Sequence, residues 1–86
     1  MANYNPNTTH PIVKTFAEYM PKPWVDQASA TVTYIGYAPL GIQSDKVGWR
    51  IERVEVVGTE TRTTYAEGSM EFNYIWDNRT SYVYSR

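Results

Sequence analysis

Between Val47 and Val57 the chain alternates apolar and polar residues and then stops at Gly58-Thr59. A period of two belongs to a β-strand with one buried face. Val47, Trp49 and Ile51 share one face and Arg50 and Glu52 the other, but the apolar set reappears one residue out of phase at Val54 and Val56. A shift by one residue carries a side chain to the opposite face. The reading is therefore either a β-bulge near Glu52-Arg53 or a strand that leaves one surface and joins another. Beyond Gly58, Glu60 to Tyr65 is rich in β-branched threonine, so the two segments are expected to form a hairpin.

A chain of 86 residues makes one small domain. Its mean hydropathy is −0.53, so burial has to rest on a few large side chains, drawn from eight Tyr, three Trp and two Phe. A domain near this size buries only roughly 60% of the surface of its unfolded chain, and contacts with neighbouring subunits would add to its stability. Lys and Arg number 8 against 9 Asp and Glu. That balance disfavours nucleic acid as a partner and leaves no polybasic surface for a membrane. The absence of cysteine excludes disulfides and thiolate metal sites. No apolar run reaches the length of a signal h-region or a membrane span, which leads to the expectation of a soluble protein made in the cytoplasm.

Four of the five prolines lie within the first 23 residues, among Asn and Thr. This composition reads as a tail joined to a domain, with one or two helical turns over Ile12 to Met20 at most. Residues 1–27 are expected to form an extended docking arm. Its isolated large side chains, Tyr4, Ile12, Phe16, Tyr19 and Trp24, with Met20 beside them, are the candidate contacts to a partner.

Residues 28–86 are expected to form the domain. A first strand over 28–37 leads into a loop over 38–46, then the hairpin, then a turn at Glu67-Gly68-Ser69. Phe72, Ile75, Trp76 and Arg79 recur at helical spacing, which predicts a short helix over 70–78 lying on the sheet, before a last strand over 80–85. The fold class is mainly β: a small antiparallel sheet or sandwich-like domain with one short helix. Its candidate core is Val32, Tyr34, Trp49, Ile51, Phe72, Ile75 and Trp76.

The segments Tyr34-Ile35-Gly36-Tyr37-Ala38, Gly48-Trp49-Arg50-Ile51-Glu52-Arg53, Thr64-Tyr65-Ala66-Glu67-Gly68 and Phe72 to Tyr82, the last containing Phe-Asn-x-x-Trp-Asp-x-Arg, follow one another in an ordered set. In that order and spacing they resemble small virion structural proteins of tailed bacteriophages. The resemblance covers Tyr34 to Tyr84 and leaves out Met1 to Ser29, the part that would adapt this member to its own particle. It implies a multi-copy structural protein of the virion without catalytic activity or cofactor. Such a protein would be a tail, neck or fibre-adaptor component, or else a capsid decoration or cement protein. Apolar residues on both faces of the central strand add the expectation of a homo-oligomer, a trimer or ring, docked on other virion proteins.

Individual residues offer little chemistry. His10 is the only histidine and stands alone beside Pro11, which gives no metal site. Asp77 and Arg79 read as structural groups at a helix end, pairing with a neighbouring strand, because no nucleophile or glycine-rich loop accompanies them. Tyr34, Tyr37, Trp49 and Tyr65 resemble a stacking platform for a carbohydrate or single-stranded nucleic acid, the third functional class in view. The demands of the core and the acidic balance argue against it. Asn7-Thr8-Thr9 and Asn78-Arg79-Thr80 match the glycosylation sequon and carry no weight without a secretory signal.

Overall fold

The structure, a computed structural model, describes residues 21–86. Among these, six antiparallel strands and a 3-10 helix follow one another: β1 (Trp24–Gln27), β2 (Val32–Tyr37), β3 (Val47–Val57), β4 (Glu60–Ala66), β5 (Tyr74–Ile75), the 3-10 helix (Trp76–Ser81) and β6 (Tyr84–Ser85). They form one sheet in the order β1-β2-β3-β4-β6, with β5 paired to the start of β3. This is the single-sheet form of the two expected, not the sandwich.

β3 organises the sheet because it is long enough to pair with three strands. Its ladder with β2 runs without interruption from Val32↔Glu55 to Tyr37↔Arg50, and its ladder with β4 from Glu52↔Tyr65 to Val57↔Glu60. There is no bulge at Glu52-Arg53. The register shift falls instead between Val47 and Trp49, against β5. It centres on Gly48, where φ is +146° and a Cβ would come within 2.9 Å of Ile42 Cγ2. The phase change at Val54 therefore has a different cause: a regular strand places Trp49 and Ile51 on one face of the sheet and Val54 and Val56 on the other. The β3–β4 turn has two central residues, and Gly58 at the first of them takes φ +62°. Glycine is favoured there in the two-residue turns that match strand twist.

Partners across an antiparallel ladder share a face. Trp24, Tyr34, Gly36, Ile51, Trp49 and Ala66 thus line one side, and the 3-10 helix closes over them with Trp76. Ile51 and Ala66 are fully buried, and Tyr34, Ala38, Trp49 and Trp76 nearly so. Trp49 Nε1 donates to Gln43 O at 3.0 Å, so this buried indole keeps its polar atom satisfied. Tyr84 packs on Tyr34 with ring centroids 5.6 Å apart, and its hydroxyl donates to Arg79 O at 2.7 Å. Burial pushes this phenol well above the ordinary tyrosine value. Tyr34 and Tyr82 add to the shift, while Arg53 and Arg79 oppose it.

Further sequence expectations are corrected. Trp24–Gln27, assigned to the arm, forms edge strand β1 and belongs to the domain, because its backbone pairs with Thr33 to Gly36. Residues 28–31 are not strand: Ser29 Oγ accepts from Thr31 N–H at 3.2 Å and Val32 N–H at 3.1 Å, a side-chain turn that delays β2. The helix expected over 70–78 is β5 followed by the 3-10 helix, and the last strand shortens to Tyr84–Ser85. In the core set, Val32 is only partly buried against the cluster. Ile75 is half-buried and pairs with Val47, and Phe72 is half-buried near the Arg50 guanidinium, 5.7 Å from its ring centroid. Arg50 stands on the face opposite the core, so Phe72 does not join the tryptophans.

Candidate functional site

Three tryptophans distant in sequence meet on the core face. Trp24 lies 4.9 Å from Trp49 and 6.3 Å from Trp76 between ring centroids, and Trp49 lies 5.6 Å from Trp76. Trp49 arrives on the long strand, Trp76 at the start of the 3-10 helix and Trp24 on the edge strand. Edge placement leaves Trp24 50% exposed despite its packed inner side. Next to it the turn at Pro39 to Ile42, closed by Ile42 N–H donating to Pro39 O at 3.3 Å, raises Leu40 with 86% of its surface exposed. Between this turn and Pro21-Lys22 lies a groove of about 120 Å³, floored by Trp24, Trp49 and Ala38 and walled by Leu40 and Ile42.

The edge strand is held down by one ion pair. Arg79 Nε donates to Asp26 Oδ2 at 3.0 Å, while Arg79 Nη1 donates to Trp76 O at 3.1 Å and the guanidinium sits 4.5 Å from the Trp76 ring centroid. The expectation that Arg79 pairs with a neighbouring strand is met through β1. Asp77 binds the loop before β3 instead: its N–H donates to Ser44 O at 3.0 Å and its Oδ2 accepts from the Ser44 hydroxyl at 3.2 Å.

The opposite face of the sheet has a different character. Val25, Ile35, Val54, Val56 and Tyr65 lie there, with threonines between them. Val25 and Val56 are exposed and the other three half-buried. Toward one end Arg50 pairs with Glu52 at 3.3 Å and stacks 4.6 Å from the Tyr37 ring centroid, so its charge is compensated locally. This face presents β-branched apolar surface with little net charge.

Trp24 is the one candidate interaction residue within the described part of the chain. Tyr4, Ile12, Phe16 and Tyr19 lie outside the described residues, as do Met20 and His10. The stacking platform does not assemble. Tyr34 and Trp49 are buried on the core face, whereas Tyr37 and Tyr65 stand on the other. Sequence reasoning missed Ala38 and Ala66 as core members. It also missed the packing roles of Tyr74, Tyr82 and Tyr84, although Tyr82 and Tyr84 alternate with Val83 in a pattern that signals one packed side. Among the described residues no group of three or more His, Cys, Asp or Glu could hold a metal ion, and no helix is long and apolar enough to cross a membrane. Glu52, Glu55, Glu60 and Asp26 are each engaged by an arginine. The arrangement can offer apolar and aromatic contact surface. Comparison with protein-family models, with curated proteins and with solved structures found no match.

Proposed function

We propose that this protein is a non-enzymatic structural component of a tailed-phage virion, a multi-copy tail, neck or fibre-adaptor protein that docks on other virion subunits. The observation that carries the reading is a sheet face that no other described element covers: a domain this small buries one face around three tryptophans and turns Val25, Ile35, Val54 and Val56 to the other. Exposed β-branched residues on a regular sheet suit a partner subunit with an apolar, uncharged contact face, and subunit packing supplies the burial that the isolated chain lacks. The ordered resemblance supports it from another direction. Its segments coincide with β2, β3, the end of β4 and its turn, and the run from Phe72 through β5 and the 3-10 helix.

The test is to locate the protein by gold-labelled antibody in purified particles, and to compare particles assembled with wild-type protein and with Val54→Asp. Label at the tail or neck, with incorporation lost in the variant while the isolated variant keeps its melting temperature, is the expected result. Label over the capsid surface would move the protein to the decoration class. Absence from purified particles would remove the virion reading altogether.

A further inference from the structure

The groove beside Trp24 is not the face invoked above, and it lies where the chain leaves the described domain. Pro21 and Lys22 form part of its wall, and the 20 residues before Pro21 lie outside the structure. Its floor is aromatic, its rim is the protruding Leu40, and its volume is about 120 Å³. A dry cavity of about 150 Å³ accepts benzene, so this groove suits one aromatic ring. The preceding segment supplies such rings with apolar neighbours: Ile12, Val13, Phe16, Tyr19 and Met20. Glu18 stands close enough in sequence to these anchors to meet Lys22, which is exposed on the rim.

Which copy's segment fills the groove follows from the prolines. Lys22 precedes a proline and is thereby held to extended backbone, while Pro21 and Pro23 have fixed φ. Residues 21–23 therefore make a stiff extended run of roughly 9 Å, of which Pro21 and Lys22 wall the groove. For Phe16 to enter its own groove, the chain would have to reverse within the four residues before Pro21, against the wall that Pro21 and Lys22 form. Phe16 lies five residues before Pro21 and can reach roughly 17 Å from it when extended, enough to enter the groove of an abutting copy. We infer that the Trp24–Leu40 groove receives the N-terminal segment of a second copy of this chain, with Phe16 as the inserted ring. The exchange links copies head to tail and closes into pairs or rings when the geometry returns to the first copy.

Association of the isolated full-length chain tests this without any particle, so its failure would leave the virion reading standing. Three proteins are compared by sedimentation: wild type, Phe16→Asp, which spoils the inserted segment, and Leu40→Asp, which spoils the groove. Leu40 is exposed at a turn tip, so its substitution leaves the core alone; Leu40→Ser repeats the test without adding a charge. Wild type should self-associate with concentration, and each variant should do so at least about thirtyfold more weakly, which corresponds to roughly 2 kcal/mol for an aromatic anchor. Mixing Phe16→Asp with Leu40→Asp should restore association as a heterodimer and nothing larger, since only one intact segment and one intact groove remain. A monomeric wild type whose tryptophan emission shifts on Phe16→Asp would place the segment in its own groove and overturn the exchange. So would a Phe16→Asp variant that associates like wild type, or a mixture that stays monomeric.

Discussion

The six-membered ring of Trp76 occupies the place where a side chain at Gly36 would begin. A Cβ there would fall into that ring and within 2.9 Å of Trp49 Cε3. The absence of a side chain in the middle of β2 is thus what lets the 3-10 helix lie down on the sheet. Gly36→Ala should destabilise by at least about 1–3 kcal/mol, the range for forcing atoms into a packed core. The contrast is Gly58→Ala, where nothing lies within 4 Å but φ is +62°; backbone strain alone should cost about 1–2 kcal/mol there. Urea midpoints of the two variants check the ordering, and near-ultraviolet dichroism should lose its tryptophan signal more in the Gly36 variant.

Trp49→Ala removes a side chain that is 3% exposed, touches both other tryptophans and donates to Gln43 O. The expected loss is about 3–5 kcal/mol, by cavity formation and by orphaning the carbonyl. Trp24→Ala, at the half-exposed edge of the same cluster, should cost clearly less. Equal losses in chemical denaturation would show that Trp24 is as deeply engaged as its partners.

The Asp26–Arg79 pair joins the edge strand to the 3-10 helix, with side chains 33% and 24% exposed. Because both ends reach water, Asp26→Asn should cost only about 1 kcal/mol. A double-mutant cycle with Arg79→Gln should show coupling that shrinks in high salt. The local signature is faster amide exchange in Val25 to Gln27, the strand that this pair secures.

Tyr84 predicts an alkaline limit to stability. Its phenol holds its proton well above the ordinary value when folded, chiefly through burial beside Tyr34, with Tyr82 adding and Arg53 and Arg79 opposing. The unfolded chain releases this proton near pH 10, so the contribution is complete below about pH 10 and is lost progressively as pH rises above it. Melting temperatures measured from neutral pH upward should hold level and then fall. Tyr84→Phe should fall less steeply there, after an initial loss at neutral pH from the missing bond to Arg79 O.

Much of the sheet could be read from periodicity. β3, β4 and the Gly58 turn announce themselves through alternation and β-branched threonines, because a half-buried strand imposes its period on neighbouring residues. Tyr34, Trp49 and Ile51 were legible as core for the same reason, large apolar side chains falling on the inward phase, whereas Trp76 was placed there by a helical spacing that the structure does not keep. β1 was not. Four residues behind two prolines carry no period, and Trp24–Gln27 is a strand only because β2 offers it a backbone edge. The helical spacing of Phe72, Ile75 and Trp76 was a coincidence of sequence. After the Glu67-Gly68 turn, where Glu67 takes φ +53°, the chain is pulled one way by pairing with β3 and then the other by the space above Gly36. Those three side chains therefore end at an Arg50 stack, a strand edge and the core. Local sequence determined where strands could exist and which large residues sought burial. The faces served by the two halves of β3, the meeting of three tryptophans and the side that the described elements leave open depended on contacts between residues far apart in the chain, and no short window of sequence contains them.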